Sequence, residues 1–154
     1  MQSRPGTYVH ILECRDHALV EVGRWGSLAI APGYYVYVGS AFGPGGVRAR
    51  VLRHCRKDKA KHWHIDYLRD YMAPVIVWIS YDAVRLEHRW AKSLAGMSGM
   101  QPINGFGCTD CTCPCHLFHS GTEPDFDRFS ASVEGNVALW VCRDSIDGKP
   151  VLTQ

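Results

Sequence analysis

No run of apolar residues in this chain approaches the roughly 18 that a membrane-spanning helix needs, and the first ten residues, MQSRPGTYVH, hold no apolar leader segment. A cytoplasmic location, with thiols kept reduced, is therefore the expectation. An excess of one charge is also lacking. Lys and Arg number 17 against 15 Asp and Glu, a formal net charge of +2 that by itself does not mark a nucleic-acid binder. Internal repeats and low-complexity tracts are absent. Seven cysteines, an odd number, argue against a closed disulfide framework. What is left, 46% hydrophobic and 21% charged over 154 residues, is the make-up of one ordinary folded domain spanning 1–154.

The positive charge that is present is concentrated. Between Arg48 and Lys61 stand Arg48, Arg50, Arg53, Arg56, Lys57, Lys59 and Lys61, against one acid, Asp58. A solvated helix face would look the same, so the surroundings must decide. Thr7 to Cys14 reads as a strand, Ala18 to Val22 as a second, and Leu28 to Ile30 as a third extended stretch. Pro32-Gly33 punctuates, and Tyr34 to Gly39 is a central strand. Gly43-Pro44-Gly45-Gly46 then leads into a helix over 47–57, with Val47, Val51, Leu52 and Cys55 on its apolar face and Arg50, Arg53 and Lys57 on another. That glycine loop is either an anion-cradling nest of amides or a flexible turn. A short helix over 64–72, a strand over 74–81 and a helix over 83–96 capped by Asp82 follow, the last stacking Val84, Glu87, Trp90 and Leu94 along one side. Residues 96–107 and the polar stretch SGTEPDFDRFS read as loops, and 137–142 with 149–153 as a hairpin around Asp147-Gly148.

Two short motifs carry chemistry in their order. Gly6-Thr7-Tyr8 opens the first strand and Tyr37-Val38-Gly39 closes a later one; Arg50 and, one helical turn on, His54 follow, and then Glu87 in the later helix. This order resembles the GIY-YIG nuclease superfamily. The likeness is closest to a compact stand-alone branch, through the segments 32–41, 47–54, 62–68 and 110–118, and it covers most of residues 6–119. It implies an α/β (α+β) fold, a small mixed or antiparallel sheet flanked by helices, with 120–154 as a C-terminal extension over one face. It also implies a metal-dependent endonuclease: Tyr8 as base or water-orienting group, Tyr37 as its partner, Arg50 as phosphate clamp, and Glu87 as the sole protein ligand of Mg²⁺ or Mn²⁺. Relatives of that branch occur fused to base-excision glycosylases, which implies a DNA-repair setting and DNA rather than RNA as partner.

The chemistry makes the same demands. Phosphodiester cleavage needs an activated water, counter-charge for the phosphorane and help for the departing oxygen. Tyrosine, with an ordinary pKa of about 10, is a poor base unless cations lower it, and Arg50 and His54 are placed to supply that charge. Arg50 can also fork onto two phosphate oxygens. Between Gly39 and Arg50 the chain has two residues more than the commonest superfamily spacing, which leaves Arg48 as a second candidate clamp; Arg50 is preferred because His54 follows it by one turn. Arg48, Arg53, Arg56 and Lys57 are candidate phosphate contacts. In His62-Trp63-His64, a structural Trp63 with His62 or His64 in the site is the preferred reading.

Cys108, Cys111, Cys113, Cys115, His116 and His119 offer six soft ligands within twelve residues. C-x2-C is a zinc half-site, and Cys108, Cys111, Cys113 and His116 are the candidate ligands. The usual second half-site roughly 12–20 residues away is missing, and reduced cysteines packing as small hydrophobes is the alternative. Two other functions remain open on these residues: a nucleic-acid-binding module without turnover, and a zinc-dependent interaction domain.

Overall fold

The computed structural model describes residues 1–108, 113–144 and 150–154. Its centre is a pair of nine-residue strands, β1 (Gly6–Cys14) and β4 (Gly33–Ala41), rich in the β-branched and aromatic residues that suit a pleated surface. They pair antiparallel over their whole length, from Gly6↔Ala41 to Cys14↔Gly33. Between them in sequence, β2 (Ala18–Val22) and β3 (Gly26–Ile30) form a separate hairpin. β5 (Met72–Ser80) pairs on the other side of β1, with a register shift beside Leu12 where its Pro74, lacking an N–H, is accommodated. β6 (Gln101–Pro102), β7 (Leu117–Ser120), β8 (Ala138–Asp144) and β9 (Pro150–Thr153) complete a seven-stranded antiparallel sheet ordered β6-β7-β4-β1-β5-β8-β9.

Alternation along β1 divides the core between the two faces of the sheet. Val9 and Ile11, with Val36, Val38 and Trp78, meet α3 (Glu87–Ala95) and α4 (Phe126–Ser132). Phe129 seals that face, stacked on Trp78 at 4.7 Å between ring centroids and edge-on to Trp90 at 5.2 Å. Its burial contributes roughly 1.5–3 kcal/mol and each ring pair about 0.5–1.5 kcal/mol more. On the opposite face, Tyr8, Val77 and Ile79 are covered by α1 (Gly46–Cys55) through Val47, Val51 and Cys55. Leu12, Tyr35 and Leu117 are covered by the β2–β3 hairpin and by Ile65 and Leu68 of α2 (His64–Leu68).

The α+β class and the antiparallel sheet agree with the sequence reading. Several elements differ from it. The C-terminal extension lies over a face only in part: α4 packs on one face through Phe129, whereas β8 and β9 lengthen the sheet beyond β5, and the turn expected at Asp147-Gly148 lies outside the described residues. The polar stretch read as a loop contains α4, with Asp125 Oδ1 accepting from the Arg128 amide at 3.0 Å and Phe129 supplying the buried anchor. Both outer helices of the first half stop early, α1 at Cys55 and α2 at Leu68, and Met72 already belongs to β5. Leu52 is only half-buried, and His54 takes the inward position beside Val51 and Cys55.

The largest correction concerns the helix expected over 83–96, which begins at Glu87. Asp82 does not cap it; its Oδ2 accepts from the Ser80 hydroxyl at 2.7 Å. Val84 is 60% exposed rather than in the apolar stripe. The segment before the helix is kept out of it by a bond elsewhere, the Leu86 amide donating to the buried Thr7 hydroxyl at 3.0 Å. Glu87 therefore stands in the first turn, where the helix dipole favours a carboxylate.

Candidate active site

β7 pairs with β4 only from Tyr34 to Tyr37. Beyond Tyr37 that edge of β4 has no strand beside it among the described residues; the Val38 amide donates to the His116 carbonyl at 2.9 Å. A cleft of about 300 Å³ opens at this unpaired edge, lined by Tyr8, Tyr37, Gly39, Arg50, Trp63 and Glu87, with Arg85, His88 and His116 around them. α3 packs on the sheet face opposite to Tyr8, yet its first residue reaches the same cleft around the open edge. The four residues singled out by motif order, Tyr8, Tyr37, Arg50 and Glu87, are thus brought together.

Gly39 is what makes room. It lies opposite Tyr8 in the β1–β4 ladder, and a Cβ there would fall 2.5 Å from the Tyr8 hydroxyl. With that space open, Tyr8 Oη reaches His54 Nε2 at 2.8 Å, both residues being almost wholly buried. Behind His54, Nδ1 faces Asp66 Oδ1 at 3.6 Å, too long for a hydrogen bond and close enough for strong electrostatic contact. Asp66 is buried, which by itself would push its pKa up. His54, Lys59 and the amides of His62 and Trp63 outweigh that and hold it well below the usual carboxylate range. It is ionised, with Lys59 Nζ at 2.7 Å and Arg53 at 3.0 Å.

Burial governs the ionisation of this row. It depresses the His54 pKa to about 3, Asp66 opposing, so the imidazole is neutral near pH 7. Burial likewise lifts Tyr37 to about 12 and Tyr8 well above its ordinary value, against the pull of Arg50. The expectation that Arg50 and His54 would lower the tyrosine pKa values is overturned, because desolvation exceeds one cation's attraction and His54 carries no charge. The tautomer follows from the neighbours: ionised Asp66 favours the proton on Nδ1, so Nε2 accepts from the Tyr8 hydroxyl. Tyr8 Oη is then left as an acceptor, with the Arg50 guanidinium the cation that acts on it.

Arg50, not Arg48, lines the cleft; its guanidinium lies 4.1 Å from the centre of the Trp63 ring. Trp63 itself lines the cleft, whereas His64 packs edge-on against Phe106 and His62 is exposed with its ring against Trp63. Trp63 packs against the core as anticipated and also faces the cleft, whereas neither histidine is among the cleft's lining residues. Two amides that an anion nest would use are already taken, Gly46 N–H by the Gly43 carbonyl and Val47 N–H by the Arg4 carbonyl. The glycine loop is a tight turn, and Gly46, at φ +58°, has Arg4 where a Cβ would go. The basic run divides as well: Arg53 and Lys59 are committed to Asp66 and Lys61 to Asp70, while Arg56 and Lys57 stand exposed.

Among the described residues, two groups of side chains lie close enough to hold a metal ion: His10, Cys55 and Cys142 in the core, and His88, Cys113 and His116 beside the cleft. Of the four zinc ligands anticipated, Cys113 and His116 fall in the second group. Cys108 donates instead to the Phe106 carbonyl at 3.5 Å, and Cys111 lies outside the described residues. His88, Arg85 and Asp66 were missed. His88 and Arg85 sit beside Glu87 with no spacing to single them out. Asp66 left one legible trace, its place three residues after Trp63, where a carboxylate caps the first turn of a helix.

A family model, Domain of unknown function DUF123, matches residues 7–138, and the chain belongs to that family. No curated protein and no solved structure matches the chain. No helix among the described residues is long and apolar enough to cross a membrane.

Proposed function

We propose that this DUF123 protein is a cytoplasmic, metal-dependent endonuclease that hydrolyses phosphodiester bonds in the cleft at the open edge of β4, with DNA as its substrate. One observation carries the reading: Tyr8, Tyr37, Arg50 and Glu87, drawn from the four elements β1, β4, α1 and α3, line one cleft, and a neutral histidine stands behind the first tyrosine. DNA is favoured by the repair setting that the sequence resemblance implies.

Arg50 clamps the scissile phosphate, its guanidinium seated over the Trp63 ring and able to fork onto two phosphate oxygens. Tyr8 is a water-orienting group before it is a base. Its proton is committed to His54, so its lone pair receives the attacking water. As the water oxygen bonds to phosphorus, negative charge builds on the phosphorane. The water's proton then passes to Tyr8 Oη while the Tyr8 proton moves to His54 Nε2, and Asp66 opposes the imidazolium charge across 3.6 Å. The P–O bond to the leaving oxygen breaks, and that oxygen takes a proton from solvent.

Glu87 is the one carboxylate among the described residues lining the cleft, and its side chain is 17% exposed. A lone carboxylate suits Mg²⁺ or Mn²⁺, which keeps most of its waters and accepts phosphate oxygens besides. Bound there, the ion would offset the charge on the phosphorane and the leaving oxygen. The test is cleavage of end-labelled single strands, duplexes, flaps and junctions in Mg²⁺ or Mn²⁺ by the wild-type protein and by Tyr8→Phe. Phe keeps the packed ring and removes only the hydroxyl. Cleavage of at least one substrate, lost in the variant, is expected; an equally active Tyr8→Phe would remove Tyr8 from the chemistry.

A further inference from the structure

We propose that His88, Cys113 and His116 form a second metal site in the wall of the cleft, built for zinc or a similar borderline-soft cation rather than for Mg²⁺. Their ligand atoms all lie within 4.8 Å of one another. Tetrahedral zinc, with bonds of about 2.0–2.3 Å, needs its ligand atoms roughly 3.5 Å apart, so side-chain adjustments that part His88 from Cys113 and draw in the wider pairs would seat an ion among the three. Two imidazoles and a thiolate favour zinc over the hard, oxygen-seeking ions. His88 Nδ1 already stands 2.6 Å from Cys113 Sγ, closer than a neutral hydrogen bond to sulfur.

The surroundings of both imidazoles are those of metal ligands. Metal-bound histidines present their second nitrogen to a carbonyl or carboxylate, which fixes tautomer and ring orientation. The His116 ring lies against the Val38 backbone on β4, and His88 Nε2 faces Glu87 Oε1 at 3.7 Å. The site would thus staple the first turn of α3 to the segment before β7, and would hold the Glu87 carboxylate through His88. Among the described residues no fourth His, Cys, Asp or Glu joins the three, and the cleft that His88 and His116 line gives zinc's fourth position access to an oxygen ligand. This ligand set differs from the four-residue cluster suggested by cysteine spacing, and the site stands whether or not the cleft cleaves nucleic acid.

The test uses the full chain, stripped of metal by chelation under reducing conditions, titrated with Co²⁺ as a spectroscopic probe and then with Zn²⁺ as competitor. The wild type should bind one Co²⁺ per chain at this site, with the intense visible bands of four-coordination and a thiolate charge-transfer band. Cys113→Ser should lose the thiolate band. Cys113→Ser and His88→Gln should each weaken Zn²⁺ binding at least tenfold, roughly the scale on which even outer-shell changes act. His88 is on the surface, so His88→Gln folds normally and stays informative if Cys113→Ser does not. Cys142→Ser, in the other thiol group, should bind as the wild type does. The site would be overturned by absence of stoichiometric binding, by a thiolate band that survives Cys113→Ser, or by unchanged affinity in His88→Gln. It would equally be overturned if Cys108→Ser with Cys111→Ser abolished binding while His88→Gln did not.

Discussion

His54 gives the fold a pH dependence whose size follows from its burial. Its pKa is near 6.5 in an unfolded chain and about 3 in the folded protein. A proton therefore binds the unfolded chain preferentially, and the stability contributed by neutral His54 is full above about pH 6.5 and drains as the pH falls towards 3. At about pH 5 the unfolded histidine is almost fully charged and the folded one almost fully neutral. That is about one and a half pH units of linkage at 1.36 kcal/mol per unit, or ~2 kcal/mol relative to about pH 7.5. The figure depends little on the folded value, provided that it lies well below 5. Asp66 does not intrude, because its ordinary value is 3.8 and it is lower still in the fold, so its contribution is lost only in stronger acid. His116, also lowered by burial, adds a fall of its own, so the comparison must be with His54→Gln. Urea unfolding at the two pH values should show wild-type stability falling about 2 kcal/mol further than that of the variant. Equal losses in the two proteins would mean that His54 is not buried neutral, and the ordering of the Tyr8–His54–Asp66 row would fail with it.

Gly39→Ala should displace the Tyr8 ring from His54, since its Cβ would lie 2.5 Å from the hydroxyl; a stability loss of ~1–3 kcal/mol by urea unfolding, together with loss of cleavage, is expected. Arg56→Ala with Lys57→Ala should weaken nucleic-acid binding and flatten its salt dependence by roughly 0.9 per phosphate contact removed, read by titration at several salt concentrations. Arg53→Ala should instead act on stability, because Arg53 is paired with the buried Asp66 carboxylate.

The strands and α1 were legible because their signals are local: alternation in β1 and β4, helical spacing of Val47, Val51 and Cys55, and glycine punctuation before them. The convergence of Tyr8, Tyr37, Arg50 and Glu87 was legible only as an order of motifs, but that order placed them in one cleft. What escaped depends on contacts distant in sequence. The late start of α3 comes from Thr7 holding the Leu86 amide 79 residues away, a bond that the good cap candidate Asp82 conceals. Trp63 was legible as a packing residue, but its place on the cleft wall depends on the arginine over its ring. The sign of the tyrosine shifts was misjudged because residue types reveal the cation and not the burial that outweighs it. His88 meets Cys113 only after the chain has folded back 25 residues.

The central claim, that this cleft cleaves phosphodiester bonds with an ion held by Glu87, is tested most directly by Glu87→Gln. Single-turnover cleavage and equilibrium binding should be measured on one substrate in Mg²⁺, for the variant and the wild type. Gln keeps the shape and removes the charge that holds the ion, while one carboxylate contributes little to a phosphate interface. The account predicts binding within a few-fold of wild type and cleavage abolished. Wild-type cleavage by Glu87→Gln would contradict it.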